Sequence, residues 1–103
     1  MRFVLIAYDY TDSEAPARRK VVRPRHMETM AVFKAAGTLK YSGPLLSKDG
    51  TTMIGSLMIH EYPSEEAMRE GFLSKEPYAV EGIWEKINIY PHFPAEGLFA
   101  DIL

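Results

Sequence analysis

The sequence contains no cysteine. This absence excludes disulfide bonds, thiolate catalysis and cysteine-ligated zinc or iron–sulfur sites. An excess of one charge is also missing, since 12 Lys and Arg residues stand against 14 Asp and Glu residues, with a formal net charge of −2. The balance therefore gives no electrostatic reason to expect nucleic acid or an anionic membrane as a partner.

Long apolar runs are missing as well. No segment approaches the ~20 residues that span a bilayer, and the N-terminal MRFVLIAYDY lacks the cleavage site of a signal peptide. No pair of histidines has metal-ligand spacing, so we expect no metal and no cofactor. We expect one domain over residues 1–103, in the cytoplasm. Residues from about 94 onward form a C-terminal tail, and its Leu98, Phe99 and Ile102 suggest docking onto a neighbouring subunit.

Strand and helix patterns alternate along the chain. Strand formers in MRFVLIAY, TLKYSGPLL, TMIGSLMIHEY and GIWEKINIYPHF predict four strands. Helical patterns cover residues 13–37, where Pro24 predicts a break into two pieces, and residues 65 to about 75, after an N-cap at Ser64. The order β-α-β-β-α-β predicts an α+β, ferredoxin-like fold: a four-stranded antiparallel sheet with two helices on one face.

The predicted strands are apolar on both sides. In the first strand, Phe3 and Leu5 alternate with Val4 and Ile6. Two short helices cover only one face of a sheet, and a large exposed apolar surface usually marks an interface. We therefore predict a homodimer in which the sheets of two subunits face each other, with a higher oligomer left open.

The predicted topology gathers candidate site residues at one rim of the sheet. With right-handed crossovers the first two strands are parallel, so both end near the start of the first helix and the connector KEPY. These segments carry the candidate side chains Tyr8, Arg23, His26, Ser42, Glu76 and Tyr78.

His26 and Glu76 are the predicted acid–base pair. At roughly 100° per residue, His26 shares the apolar side of its helix with Met30 and Phe33. We expect it in the first turn of the second helical piece, where the helix dipole favours neutral imidazole. A nearby carboxylate orients the imidazole and stabilises its cation. The alternatives are a core-edge histidine and a solvated carboxylate, and the other two histidines are expected at the surface.

Four segments, FVLIAYDY, RPRH, GTLKYSGPL and EPYAVEGIWEKINIYPHF, occur in this order over most of the chain. Together they resemble the YCII-related domain family, the YciI-like proteins of the dimeric α+β barrel superfamily. The resemblance implies a dimer whose proposed active site pairs a helix histidine with the aspartate of a DPY or DPF segment. His26 matches the histidine, whereas Glu76 replaces the aspartate and is longer by a methylene.

The resemblance leaves three functions open. The first is a cofactor-independent enzyme, lyase-, dehydrochlorinase- or isomerase-like, with His26 and Glu76 as catalytic residues. The second is a non-catalytic module that binds a small ligand or acts as an accessory partner. The third is a haem-binding oxygenase with His26 or His92 as axial ligand. The predicted substrate-binding residues are Arg23, Ser42, Tyr8 and Tyr78.

Overall fold

The computed structural model describes residues 1–99. They include one four-stranded antiparallel sheet. The strands are β1 Arg2–Asp9, β2 Leu39–Leu46, β3 Met53–Glu61 and β4 Trp84–His92. Their order across the sheet is β2-β3-β1-β4, and every neighbouring pair is antiparallel. The predicted α+β, ferredoxin-like fold is therefore confirmed.

Three helices accompany the sheet: α1 Ala15–Ala36, α2 Glu65–Met68 and α3 Pro77–Val80. Ser64 caps α2 as predicted, and α2 continues as a π-helical turn over Arg69–Leu73. The helix α3 was not predicted, because it lies in the segment interpreted as a connector. It forms because Glu76 accepts a hydrogen bond from the Tyr78 amide and Pro77 occupies a first-turn position.

The predicted break at Pro24 is wrong, since α1 runs without interruption until Gly37 ends it at φ 84°. Proline removes one backbone hydrogen bond, to the carbonyl of Lys20. Both residues are exposed, so the loss leaves no polar group in the core, and packing of the buried face stabilises both halves of the helix. The buried residues of α1 are Ala15, Arg19, Val22, His26 and Met30.

The sheet has one face covered by the helices and one face without cover from residues 1–99. Phe3 and Leu5 of β1 pack in the core with Met58, Met68 and Phe72. The opposite face is also apolar, as predicted, with buried or half-buried aliphatic side chains and exposed tyrosines. By register these residues are Val4, Ile6, Leu57 and Ile59, with Tyr8, Tyr41 and Tyr90.

Two histidines differ from their predicted positions. His60 is fully buried, because it lies opposite Phe3 on the helix-facing side of β3, with the Phe72 ring 4.1 Å from its own. His92, also expected at the surface, is half-buried at the last position of β4. Leu98 and Phe99 of the tail are exposed; Ile102 lies outside the described residues. No helix within 1–99 combines the length and apolarity needed to cross a bilayer.

Candidate active site

His26 and Glu76 meet inside the protein. The Nδ1 atom of His26 lies 2.7 Å from Oε1 of Glu76, although the residues are 50 positions apart. Their exposed fractions are 6% and 0%. The middle of α1 packs against the start of α3, and the Glu76 side chain, longer than an aspartate, reaches from α3 to His26. Glu76 is therefore buried instead of solvated, and the hydrogen-bond partner of His26 is a carboxylate.

The structure corrects the expectation that His26 lies in the first turn of a helix, beside the positive end of its dipole. Because α1 is continuous, His26 lies in mid-helix, where the dipole of a helix end has little effect. The hydrogen bond to Glu76 determines instead which ring nitrogen of His26 carries a proton. A carboxylate only accepts hydrogen bonds, so Nδ1 of His26 donates to Glu76, and the neutral imidazole then has its lone pair on Nε2. Within residues 1–99 that Nε2 has no hydrogen-bond partner.

Tyr78 fixes the plane of the imidazole. Its ring stacks on that of His26, with centroids 3.9 Å apart and planes 14° from parallel. The Arg19 guanidinium lies 4.5 Å from the Tyr78 centroid. Burial raises the pKa of the Tyr78 phenol, while the charges of Arg19 and Arg23 oppose that rise. Tyr78 therefore stays protonated, and among residues 1–99 its buried hydroxyl has no hydrogen-bond partner.

A buried ion pair supports this stack. Nη1 of Arg19 donates to both carboxylate oxygens of Asp9, at 2.8 and 3.0 Å, and Nη2 donates to Ser56 Oγ at 3.0 Å. Burial raises the pKa of Asp9, and the hydrogen bond and charge of Arg19 oppose this rise. Asp9 follows the predicted site residue Tyr8 at the end of β1, whereas Arg19 and Ser56 were not predicted. Helical spacing was the available signal for Arg19, since it lies seven residues before His26.

The remaining predicted site residues lie in three different clefts. Arg23 is exposed in a cleft of about 400 Å³ that Arg19 also lines. Tyr8 lines an adjoining cleft of about 290 Å³, beside Asp9. Ser42 is exposed in mid-β2, where it lines a separate groove with residues of the C-terminal half of α1. It was expected at the rim with the end of the strand, but it lies four residues before Leu46, the last residue of β2.

The structure thus brings His26, Glu76 and Tyr78 together and places Arg23 nearby, whereas Ser42 faces another groove. Within the described part of the chain, no group of three or more His, Asp or Glu side chains is arranged to hold a metal ion. Fold and site together define a small α+β protein with a buried histidine–carboxylate pair at one end of its sheet.

The chain belongs to the YCII-related domain family, whose model matches residues 1–92, up to the end of β4. A search of curated proteins gave no match.

Solved structures with the same fold include enzymes. One is 5-chloro-2-hydroxyhydroquinone dehydrochlorinase (TftG) from Burkholderia phenoliruptrix, in complex with 2,5-dihydroxybenzoquinone. It has a TM-score of 0.75 and 21% identity, with 90% of this chain and 94% of that chain covered. The cofactor-independent oxygenase SnoaB from Streptomyces nogalater has a TM-score of 0.50 and 17% identity, covering 93% and 95%. At these identities the likeness shows the fold.

A protein from Agrobacterium tumefaciens, Atu4242, shares the fold at a TM-score of 0.55 and 20% identity, covering 94% of this chain and 96% of that chain. These lengths agree, so the fold extends over nearly all of each protein.

Proposed function

We propose that this protein is a cofactor-independent enzyme that uses general acid–base chemistry on a small hydroxylated ring substrate. The observation that carries the proposal is the buried hydrogen bond of 2.7 Å between His26 Nδ1 and Glu76 Oε1. The names of the similar structures support the reaction class, because they include a dehydrochlorinase and a cofactor-independent oxygenase.

In the proposed reaction, Nε2 of His26 takes a proton from a carbon or hydroxyl of the substrate. The electron pair of the broken bond forms a new double bond and expels a leaving group such as chloride, or the proton returns at another position. Elimination and isomerisation both balance in this way and need no nucleophile. Glu76 stabilises the imidazolium that forms, and the Tyr78 ring keeps it in plane.

The other predicted residues would bind the substrate. Arg23 and Ser42 would hold an anionic oxygen, and Tyr8 and Tyr78 would form walls. The structure supports Arg23 best, since its cleft adjoins Arg19, which contacts Tyr78. Ser42 is the weakest of the four, because it lines a different groove.

A screen of hydroxylated aromatics, quinones and lactones tests the chemistry. We expect wild-type turnover to fall by about 100-fold or more in His26→Ala and Glu76→Gln, the usual loss when a general base or its partner is removed. Glu76→Asp should also lose activity, because the shorter arm withdraws the carboxylate from Nδ1. His92→Ala, a histidine at the end of β4, is the control and should keep full turnover. Undiminished turnover in His26→Ala would contradict the mechanism.

A non-catalytic binding module is the second candidate, and one contact favours it. Glu76 Oε1 also accepts the Tyr78 amide at 3.1 Å, so the carboxylate has a structural role as the cap of α3. This candidate would be supported if the wild type, His26→Ala and Glu76→Gln all bind the ligand and none of these three proteins shows turnover. The haem alternative has a simpler test, because haem would colour the purified protein.

The proposal includes a homodimer formed through the open sheet face; a cytoplasmic location stays a prediction from the sequence. Ile6 lies opposite Leu57 at the centre of this apolar face, and Tyr41 and Tyr90 are exposed on its flanking strands. Contact between two such faces would bury a continuous apolar surface, which is favourable in water.

We expect light scattering to show a wild-type dimer at micromolar concentration. Ile6→Asp should give a folded monomer, because a charge in a dry interface loses its hydration. Val32→Asp places the same charge on an exposed position of α1 and should remain dimeric. A monomeric wild type would contradict the proposed assembly.

A further inference from the structure

We propose that the cleft beside the active site is a subsite for a carboxylate or phosphate group, bound by Lys20, Arg23 and the Thr52 hydroxyl. This inference rests on the proposed function and extends it, because it defines the substrate class. The substrate would be a small ring with an anionic substituent, and not merely a ring with hydroxyl groups.

The first observation is that Arg23 differs from the other arginines. Each of those forms an ion pair with a carboxylate: Arg2, Arg18, Arg19, Arg25 and Arg69. Arg23 has no such partner within residues 1–99, and neither has Lys20, which lines the same cleft. Two cations on one turn of α1 that share a concave surface leave a place for an anion from outside.

The lining of the cleft is the second observation. Its residues are Pro16, Arg19, Lys20, Arg23, Thr51, Thr52 and Met53, and none of them is acidic. The nearby carboxylate of the hairpin, Asp49, points onto Ser47 and Thr51, whose hydrogen bonds lower its pKa. The Asp49 carboxylate is therefore already hydrogen-bonded within the hairpin, and Thr52, whose hydroxyl lies 3.4 Å from that of Thr51, adds a polar residue to the lining.

The position of Arg23 relative to His26 on α1 is the third observation. Arg23 precedes His26 by three residues on α1, which places their side chains as neighbours on one helix face, roughly 5–6 Å apart at Cβ. The charge of Arg23 also acts on Tyr78, which stacks on His26. An anion held by Arg23 would therefore lie within one helical turn of His26.

Binding is measured by NMR titration of ¹⁵N-labelled protein at constant ionic strength. The probes are sodium benzoate, phenyl phosphate and the neutral benzyl alcohol. We expect both anions to shift the Thr51 and Thr52 amide signals with a saturable Kd, and benzyl alcohol to leave them in place. The tighter of the two anions identifies the substituent as carboxylate or phosphate.

Arg23→Gln and Lys20→Gln should each weaken anion binding by about 10-fold, the usual loss for a charge-assisted hydrogen bond. Arg25→Gln is the matched control, since Arg25 lies on the same helix but pairs with Glu81. Its Kd should equal that of the wild type. Equal Kd values for Arg23→Gln and Arg25→Gln, or binding of benzyl alcohol as tight as benzoate, would overturn the subsite.

His26→Ala separates this proposal from the proposed reaction. We expect it to bind benzoate as the wild type does while turnover is lost. If anion binding depends on Arg23 but the wild type shows no turnover, the subsite is supported and the proposed enzymatic function is contradicted. If turnover depends on His26 but anion binding does not depend on Arg23, only the subsite is contradicted.

Discussion

Replacement of Asp9 by alanine should lower the free energy of unfolding by about 3–5 kcal/mol, the usual cost of leaving a buried charge without its partner. The charge left behind is the Arg19 guanidinium, which is 4% exposed and would keep only the Ser56 hydroxyl. Unfolding in urea at pH 7, followed by circular dichroism, measures the loss.

A neighbouring ion pair is the matched control. Arg18 donates to Asp12 through two hydrogen bonds of 2.7 Å, one from each terminal nitrogen, but both side chains are exposed. Solvent screens this pair, so Asp12→Ala should cost far less than Asp9→Ala. Equal losses for the two variants would show that burial does not set the strength of the Arg19–Asp9 contact.

The double variant Asp9→Leu with Arg19→Met should recover most of the lost stability. Burial raises the pKa of Asp9 even though Arg19 opposes the rise, so attraction in this pair does not fully offset the loss of hydration. Apolar side chains of similar volume avoid that loss. We therefore expect the pair to be kept for its contact with Tyr78, and turnover in the double variant should fall although stability returns.

Acidification should destabilise the protein through His60. Burial lowers the pKa of this imidazole from 6.5 to about 4. The unfolded state then binds a proton at a higher pH than the folded state does, so stability falls as the pH drops from 6.5 to about 4 and this contribution levels off below. The expected loss from this group is about 3 kcal/mol.

His60→Leu should remove this loss. Neither ring nitrogen of His60 has a hydrogen-bond partner among residues 1–99, so the substitution by leucine breaks no hydrogen bond. The variant should therefore be at least as stable as the wild type at pH 7. Urea unfolding at several pH values compares the variant with the wild type. His92→Leu, which removes a half-buried histidine, is the control and should keep the wild-type loss. A pH dependence that persists unchanged in His60→Leu would contradict the assignment.

Local sequence signals were sufficient for the strands, for the cap at Ser64 and for the end of α1 at Gly37. Each depends on residues close in the chain: alternation of strand formers, a hydroxyl before a helix, or a glycine at positive φ. Topology alone also predicted that His26 and Glu76 approach each other, because the element order fixes which ends share an edge.

Tertiary packing decided the rest. Pro24 stays within α1 because the buried face of the helix stabilises both halves, and no local propensity reports that energy. His60 is buried, and Arg19 pairs with Asp9, because β1, β3 and α1 close around them. The sequence determined which elements form and in what order. Only the three-dimensional packing determined which polar side chains lose their water, since that depends on neighbours far away in the chain.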